Sequence, residues 1–446
     1  MTSTDSPSRR ALALRAVRVG WTLVVVMAPA LLVGLARWAL TGREAGLRHV
    51  YRRGTVLLVR LGPTFVKAGQ VLGTRRDVLP PALCAELSVL QDEVPPMDRA
   101  GTDRALAEAF GAEFDDLFNE VDRTPVASGS VACVYRGRLR SGREVALKLR
   151  RPGVERVMGQ DLVLLRRGAR YAAKLPPLRG VPVTEVVDHV ADAVLGQLDF
   201  AREADALRRL RANLSAVPRV WVPLVHPDAC RPGCIVMEFI DGLETGTADR
   251  CSQATRRRFG VSALTAVYQM LFVDGFVHCD LHPGNLYFTT SGQVVVLDAG
   301  FSVLLTDRLR RLFAEFFMNM AVGRGDRAAE IVVESAAGLK DDADLDGFLA
   351  RMADLVRRSH GLPAKEFSLV GFATEMFDLQ RAHGVHAAPE LIFPLLSLLV
   401  IEGTIRALDP EVDFQEAAKP VLVKGLFGAK GRRAPTERDG LPSELL

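Results

Sequence analysis

A short motif in the second half of the chain has the residue types and spacing of a phosphoryl-transfer centre. The letters H-C-D-L-H-P-G-N occupy positions 278–285, and D-A-G follows at 298–300. In kinase-type enzymes, H-x-D is followed after four residues by Asn, and D-x-G lies on the next hairpin. Asp280 would position the nucleophile, while Asn285 and Asp298 would hold Mg²⁺ against the phosphates of ATP. The spacing therefore predicts Mg-ATP chemistry.

Each half of this motif alone is weak evidence for a catalytic site, since H-x-D occurs often by chance and D-x-G is usually a turn. The run V-V-V-L at 294–297 is short, apolar and β-branched. It predicts a buried strand that delivers Asp298 to the site. The two halves in register favour a catalytic interpretation. His278 and His282 are expected to shape the loop rather than to transfer protons.

An upstream strand would supply the lysine that contacts the phosphates. V-A-L-K at 145–148 matches the kinase strand whose lysine lies against the α and β phosphates. A glutamate on the following helix would pair with Lys148, fix its rotamer and keep the ammonium charged in a partly dry cleft. Glu203 is the candidate partner, and a solvated helix glutamate is the alternative.

The loop that would cover the phosphates departs from the glycine-rich pattern of ordinary kinases. V-A-S-G-S-V-A-C-V-Y at 126–135 stands in place of G-x-G-x-x-G-x-V and contains one glycine, Gly129. Cβ atoms on Ala127, Ser128 and Ser130 restrict how closely backbone amides approach phosphate. These four residues are predicted to bind the nucleotide with an altered geometry or selectivity.

Helical periodicity and strand signals indicate which elements position these residues. A helical extension is predicted over 56–92, interrupted by prolines, because proline disfavours continued helix. Two β-rich runs, 126–139 and 144–150, would begin an N-lobe sheet. Helices are predicted over 154–213, and the one that faces the site would carry Asp199 and Glu203.

Strand character returns at 220–224 and 234–239, after which the chain is predicted to be mostly helical except for the catalytic hairpin. The letters E-F-I-D-G at 238–242 suit a hinge between two lobes. Glu238 and Ile240 are expected to contact the nucleotide at this hinge.

Composition bounds the class of protein. A chain of 446 residues has room for about two to three domains. Charged residues make up 25% and the net charge is only +4, which disfavours a nucleic-acid partner. Six scattered cysteines suit a reducing cytosol. Cys230 and Cys234 lie close together, but without a second Cys or His pair at ligand spacing a zinc site is disfavoured.

An uncharged, mostly apolar run at 20–36 predicts membrane contact. As a helix it would extend about 25 Å, short of a hydrocarbon core of about 30 Å. Trp21 and Trp38 lie near its ends, where indoles anchor at membrane interfaces, but Pro29 lies in the middle and arginines flank both sides. An anchor or interfacial helix is favoured over a buried helix. A cleaved signal peptide is disfavoured because export would separate the site from cytosolic ATP.

One further motif identifies a family resemblance. F-V-K-A-G-Q at 65–70, together with the H-x-D-x-H-P-G-N form of the catalytic loop, resembles the UbiB/AarF-like atypical kinases over residues 61–410. The same resemblance extends to a set of smaller matches: Arg75, Asp77, L-P at 79–80, L-Q-D at 90–92 and P-P at 95–96. It implies a kinase-like enzyme connected with quinone and isoprenoid-lipid metabolism.

The resemblance also implies roles for Lys67 and Gln70. In this family the K-x-G-Q helix folds over the active site, with its lysine and glutamine pointing inward where a protein substrate would lie. A second lysine and an amide near the phosphates would restrain the nucleotide and exclude a bulky acceptor. ATP hydrolysis or a small acceptor is therefore favoured.

Three departures from the family pattern affect regulation more than metal binding. The alanine-rich loop carries Ser128 and Cys133, and the E-x-D motif reads Q-L-D, with Gln197 in place of the first carboxylate. D-F-G has become D-A-G, so Ala299 replaces an aromatic packing residue. Autoinhibition is expected to be weaker or organised differently.

The sequence thus predicts an α+β, bilobal, protein-kinase-like fold with an N-terminal helical K-x-G-Q extension and a largely helical C-lobe. Its predicted parts are the following: a membrane-contact segment at 1–55, the extension at 56–118, an N-lobe with a helical insertion at 119–240, a C-lobe at 241–427 and a mobile tail at 428–446. The predicted location is the cytoplasmic face of a membrane.

The predicted function is Mg-ATP-dependent hydrolysis or phosphoryl transfer that supports quinone or isoprenoid-lipid metabolism. The expected partners are ATP, a lipid surface and proteins of those pathways. Two alternatives stay open: a kinase that phosphorylates a protein or small molecule in trans, and a nucleotide-binding scaffold without enzymatic activity.

Overall fold

The protein consists of a helical N-terminal extension, a β-rich N-lobe and a helical C-lobe. The computed structural model describes residues 9–73, 79–87, 90, 95–174, 183–282, 284–362 and 365–428. The predicted bilobal α+β fold is confirmed. The predicted domain limits stay predictions.

Four helices form the extension: α1 (Arg9–Thr41), α2 (Arg43–Leu61), α3 (Pro63–Gly73) and α4 (Pro81–Leu87). α1 and α2 form a tight hairpin, because a Cβ on Gly46 would lie 2.6 Å from the carbonyl oxygen of Gly34. α1 has 33 residues and a length of about 50 Å, so the helix extends well beyond the apolar run at 20–36. The predicted matches at Arg75, Asp77, Gln91 and Asp92 lie outside the described residues.

The N-lobe follows. Its elements in chain order are α5 (Arg99–Phe110), α6 (Phe114–Leu117), β1 (Phe118–Ser128), β2 (Ala132–Leu139), β3 (Glu144–Arg150), α7 (Val154–Ala172), α8 (Val183–Gly196), α9 (Phe200–Leu214), β4 (Val220–Trp221) and β5 (Cys234–Glu238). One antiparallel sheet has the order β1-β2-β3-β5. The helices between β3 and β5 carry Glu203 back to the sheet, and Asp199 caps α9 by accepting the Arg202 N–H at 3.0 Å.

The predicted β-rich run over 126–139 contains the end of β1 and the whole of β2. Residues 129–131 form the turn between β1 and β2, where the Gly129 N–H donates to the Ala132 carbonyl at 2.9 Å. β1 begins earlier, at Phe118, because its ring packs in the N-lobe core with its centroid 5.0 Å from that of Phe110. The loop that would cover phosphates is therefore a hairpin turn between two strands.

The C-lobe begins with α10 (Gln253–Tyr268), which continues into a π-helical turn at Gln269–Asp274. Four short strands then form the catalytic region: β6 (Phe276–His278), β7 (Leu286–Phe288), β8 (Val294–Val296) and β9 (Ser302–Leu304). β8 pairs with both β4 and β7, and β6 pairs with β9. These pairings hold the two halves of the catalytic motif side by side.

The remaining elements are α11 (Asp307–Ala321), α12 (Gly325–Glu334), β10 (Ala336–Leu339), α13 (Leu345–Ser359), α14 (Leu369–Ala382), β11 (Val385–Ala387), α15 (Pro389–Leu408) and α16 (Phe414–Phe427). The prediction of a mostly helical C-lobe is confirmed. β10 and β11 add a small antiparallel ladder that the sequence did not indicate. Periodicity over such short strands gives no reliable signal. The predicted tail lies outside the described residues from 429 onward.

Candidate active site

His278 organises the catalytic loop from a fully buried position at the end of β6. Its Nδ1 accepts the backbone N–H of Asp280 at 3.1 Å, so its Nε2 carries the proton and donates to the Leu297 carbonyl, also at 3.1 Å. Ser397 on α15 donates its hydroxyl to the His278 carbonyl at 2.7 Å. The ring therefore joins the two halves of the motif and fixes the backbone at Asp280.

Asp280 and Asn285 lie on this loop with different surroundings. The Asp280 side chain is 42% exposed, and its Oδ2 lies 3.8 Å from Nε2 of His282. Asn285 is buried, and its Nδ2 donates to the Asp280 carbonyl at 2.8 Å. That bond leaves the Asn285 Oδ1 as the atom able to coordinate a cation. Asp280 stays accessible to a small nucleophile.

A second cluster consists of Lys148, Glu203 and Asp298, which come from separate parts of the chain. Nζ of Lys148 on β3 lies 2.6 Å from Oε1 of Glu203 on α9 and 2.9 Å from Oδ2 of Asp298. Glu203 is 2% exposed, so the alternative of a solvated helix glutamate does not describe this structure. The ammonium also lies 5.6 Å from the ring centroid of Phe200.

The electrostatics of this group follow from one ammonium shared by two carboxylates. Burial alone would lower the pKa of Lys148, but the charges of Asp298 and Glu203 outweigh burial and raise it. Burial would raise the pKa of Asp298, but the charge and hydrogen bond of Lys148, the Gly300 N–H and the charge of Lys67 together lower it. Burial and the charge of Asp298 raise the pKa of Glu203 to about 7.

The raised pKa of Glu203 predicts a pH-dependent stability. In the folded state Glu203 binds its proton more tightly than in the unfolded chain, where its pKa is near 4.5. The stabilisation that comes from this tighter proton binding is therefore fully present below pH 4.5, and it is lost as the pH rises toward 7. In buffer without Mg²⁺ or nucleotide, we expect the melting temperature of Glu203→Gln relative to wild type to rise between about pH 5 and pH 8. A difference that stays constant with pH would contradict this.

The backbone at Asp298 has an uncommon conformation. Asp298 has φ of 50°, a left-handed conformation that costs a non-glycine residue about 1–3 kcal/mol and is typical of functional sites. A Cβ on Gly300 would lie 3.2 Å from Oδ1 of Asp298 and 3.4 Å from Oε2 of Glu203. Glycine at this position therefore leaves room for both carboxylates.

Two of the four predicted loop residues, Gly129 and Ser130, lie in the turn between β1 and β2, and Ala127 and Ser128 end β1. Ala127 is exposed. Ser130 is 2% exposed, and its Oγ has no hydrogen-bond partner among the described residues. An unpaired buried hydroxyl is costly, and a nucleotide phosphate would satisfy it. The loop thus fits an anionic ligand despite its single glycine, Gly129.

Arg151 is a residue that the sequence reasoning missed. Its guanidinium donates to the Gly129 carbonyl at 2.9 Å, to Oγ of Ser128 at 2.9 Å and to the Pro95 carbonyl at 2.8 Å. It therefore ties the loop to the segment that precedes α5. The available signal was the R-P-G turn directly after β3, since an arginine beside a chain reversal can reach a neighbouring loop.

Arg151→Gln is expected to raise the KM for ATP roughly threefold to tenfold, the effect of about one net hydrogen bond, with little change in kcat. The loop would lose its hydrogen bonds from Arg151, whereas the contact between Lys148 and Asp298 would be unchanged. Arg123→Gln is the matched control, because Arg123 lies on β1 and bonds to Val121 and Asp103. Equal KM values for the two variants would contradict this role.

The two predicted hinge residues and Gln70 have other local contacts. Oε2 of Glu238 accepts the Leu224 N–H at 3.0 Å and the indole N–H of Trp221 at 3.2 Å, so this side chain holds the β4 segment against β5. Ile240 is half-buried just beyond β5. Nε2 of Gln70 donates to the Leu90 carbonyl at 3.1 Å. None of the hydrogen bonds named here joins these residues to Lys148, Glu203 or Asp298.

Lys67, also on α3, is close enough to Asp298 for its charge to lower the pKa of that carboxyl. α3 is held tightly, because a Cβ on Gly69 would lie 2.6 Å from Cδ1 of Leu90 and 2.7 Å from Cδ1 of Leu58. The glycine of the K-x-G-Q motif thus allows close packing. A second ammonium therefore lies near the carboxylate predicted to hold metal.

The donor set fits Mg²⁺ and ATP. Asn285 and Asp298 offer amide and carboxylate oxygens, the hard ligands that Mg²⁺ prefers, together with phosphate oxygens. Ser130 offers an unpaired hydroxyl, and Lys148 and Lys67 offer positive charge. This donor set suits the phosphates of a nucleoside triphosphate with its cation.

Comparisons with known proteins give a consistent result. Residues 89–332, more than half of the chain, match the family model described as the ABC1 atypical kinase-like domain, and residues 352–413 match the UbiB helical domain. "Probable protein kinase UbiB" of Aeromonas hydrophila subsp. hydrophila is 32% identical over 382 residues, covering 84% of this chain and 70% of that protein. The protein of the same name from Pseudomonas fluorescens is 33% identical, covering 81% and 69%.

Among solved structures, the Rv3197–erythromycin complex from Mycobacterium tuberculosis matches with a TM-score of 0.54 and 20% identity. The match covers 81% of this chain and 91% of that one. At this level of identity the likeness supports the fold alone.

Proposed function

Because this chain belongs to the UbiB family of ABC1 atypical kinase-like proteins, we propose that it hydrolyses or transfers the terminal phosphate of ATP in a Mg²⁺-dependent reaction at a membrane surface. The observation that carries this proposal is Lys148, which bridges Glu203 and Asp298 beside the loop of Asp280 and Asn285. Such a set supplies the charges that phosphoryl transfer requires.

Each residue has one proposed task. Lys148 holds the nucleotide phosphates, and Glu203 fixes the Lys148 rotamer. Asn285 and Asp298 hold Mg²⁺, which when bound supplies positive charge to the phosphate oxygens. Asp280 orients the attacking oxygen from its half-exposed position.

Hydrolysis or a small acceptor is favoured over a protein acceptor. The charge of Lys67 on α3 contributes to the lowered pKa of Asp298, which supports a K-x-G-Q helix that limits the room for an acceptor near the proposed metal site. Lys67 and Gln70 are proposed to restrain the nucleotide from that side. A kinase acting in trans is the second candidate, and Asp280 at 42% exposure leaves access for a compact acceptor.

The proposed connection with quinone or isoprenoid-lipid metabolism, and with proteins of those pathways, depends on the family. The curated relatives carry the name UbiB. The active-site residues are general to phosphoryl chemistry and select no metabolite, since fold and function are separate questions.

Membrane contact is proposed for the outer face of α1. Residues 10–41 form an apolar helix with a mean hydropathy of 2.2 in its most apolar window, of which only 17% is buried. Seven of its exposed apolar side chains recur at helical spacing and form one stripe: Leu14, Val17, Trp21, Val24, Leu31, Leu32 and Leu35. Leu23, Val33 and Leu40 are exposed on other sides of the helix. An exposed apolar surface of this length suits lipid.

The hairpin geometry favours a helix lying in the interface over one that crosses the bilayer. α2 runs alongside α1 through the Gly34–Gly46 contact, and its exposed side chains include Arg48, Arg52 and Arg60. A crossing would bury these arginines at about 2.5–3.5 kcal/mol each. In the interface they would face headgroups instead, on the cytoplasmic side where ATP is available.

The central experiment is phosphate release from Mg-ATP by the purified full chain, with and without phosphatidylglycerol vesicles. Release of phosphate without an added acceptor would support hydrolysis, whereas ADP formation with the phosphate transferred to an added acceptor would favour the kinase in trans. Nucleotide binding with neither phosphate release nor ADP formation, with or without acceptor, would refute both and favour the scaffold.

A variant of the stripe tests the membrane proposal separately. Trp21→Ser/Leu32→Ser is expected to lose at least about tenfold in vesicle flotation, because two large apolar side chains leave the lipid contact. Val261→Ser/Val423→Ser is the matched control, because both valines are exposed on other helices. Equal flotation of the two variants would refute contact through α1.

A further inference from the structure

An apolar cavity lies in the C-lobe between α11, α12, α14 and the start of α15. It contains about 620 Å³ of empty space, counting its mouth toward solvent, of which about 50 Å³ can hold the centre of a water molecule. Its walls include Phe316, Phe372 and Met376, and none of its lining residues belongs to the candidate active site. The space is therefore a narrow apolar seam, separate from the phosphoryl chemistry.

Two side chains with hydrogen-bonding groups line this seam, Ser335 and Gln380. The Ser335 hydroxyl donates to the Val332 carbonyl at 3.0 Å and is satisfied. Gln380 is 6% exposed, and its Oε1 has no hydrogen-bond partner within the part of the chain that the structure describes. A buried amide oxygen without a donor is costly, and native structures contain few of them.

Water is a poor partner for this oxygen. A buried water requires two to four polar contacts. Among the described lining residues, the Ser335 hydroxyl is already bonded to Val332, and apart from Gln380 the other side chains are phenyl rings and aliphatic groups. A molecule that brings one donor and an apolar body satisfies both the oxygen and the walls. Apolar pockets with a few fixed polar groups are the usual form of small-molecule sites.

We propose that this cavity binds a slender aliphatic alcohol, with its hydroxyl donating to Oε1 of Gln380 and its chain lying along Phe316, Phe372 and Met376. The narrow cross-section selects a single chain over a bulky ring system. The single hydrogen-bond acceptor, Oε1 of Gln380, favours a ligand with a hydroxyl over a hydrocarbon or an ether.

Octan-1-ol and its isomer heptyl methyl ether test this assignment, because they differ in the O–H donor and have the same atoms. Methyl-labelled methionine gives a local readout, since Met376 lines the cavity and its NMR signal is identified by loss in Met376→Leu. We expect octan-1-ol to shift this signal saturably in the full chain. The ether should bind roughly threefold to tenfold more weakly, as expected for one lost hydrogen bond.

Two variants complete the test. Gln380→Met should lower the affinity for octan-1-ol to that for the ether while leaving the melting temperature unchanged or higher, because it removes an unpaired polar group. Ala388→Phe should fill the seam and abolish both shifts. The proposal is overturned if the Met376 signal does not respond to the alcohol, if alcohol and ether bind equally, or if Gln380→Met melts well below wild type, which would make the amide structural.

Discussion

Asp298→Asn is expected to lower the rate of phosphate release from Mg-ATP by at least about a hundredfold, the loss typical of removing one charge-stabilising group from a reaction centre. The neutral amide would remove the charge that binds Mg²⁺ and one of the two carboxylates that hold Lys148. The Lys148–Glu203 contact at 2.6 Å would remain, so the fold should persist. Initial rates over a Mg²⁺ titration measure the effect.

Asp307→Asn is the matched control for this substitution. Asp307 lies on the first turn of α11 with its side chain 91% exposed, so the same change of charge there should leave the rate unaltered. Binding of a fluorescent ATP analogue shows whether the loss at Asp298 lies in chemistry or in nucleotide affinity. A rate for Asp298→Asn within about threefold of the control would remove Asp298 from the proposed metal site.

Lys148→Met is expected to destabilise the fold by about 3–5 kcal/mol, the usual cost of removing one partner of a buried ion pair, and to abolish measurable hydrolysis. Glu203, 2% exposed, would lose its 2.6 Å ammonium partner and face the Asp298 carboxylate. The pKa of Glu203 is already raised to about 7, so its protonation would limit the cost at low pH. Chemical denaturation at about pH 8 therefore gives the largest difference.

A double variant separates stability from catalysis. Lys148→Met/Glu203→Gln removes both charges, so we expect it to recover most of the lost free energy of unfolding while remaining inactive. A double variant as unstable as Lys148→Met would show that the loss arises from packing. Recovery of hydrolysis in either variant would exclude Lys148 as the phosphate-binding residue.

The sequence carried the information for which local chemistry is present. The spacing within 278–300 and the strand that ends at Lys148 are short-range patterns, and strand or turn formation there depends on neighbouring residues. The K-x-G-Q letters and the catalytic loop also identified the family, which the comparisons confirm. Patterns of this kind are readable because the chemistry itself requires those residue types at those intervals.

The limits of two elements depend on tertiary contacts that local signals do not contain. The β-rich run at 126–139 reverses at a turn because its two parts, the end of β1 and β2, pair with each other, and β2 also pairs with β3. α1 extends well beyond its apolar run because α2 packs against it through Gly34 and Gly46. Neither partner could be identified from periodicity in one segment.

The sequence by itself determined the fold class, the family and the residue types available for phosphoryl chemistry. Tertiary structure decided which of them meet: Lys148 contacts partners 55 and 150 positions away, and Arg151 reaches Pro95 across 56. It also decided that Gln70 bonds to Leu90 and that Gln380 lines an apolar seam. The physical reason is that a local pattern specifies the conformation of one segment, whereas these contacts depend on the packing of segments that are distant in the chain.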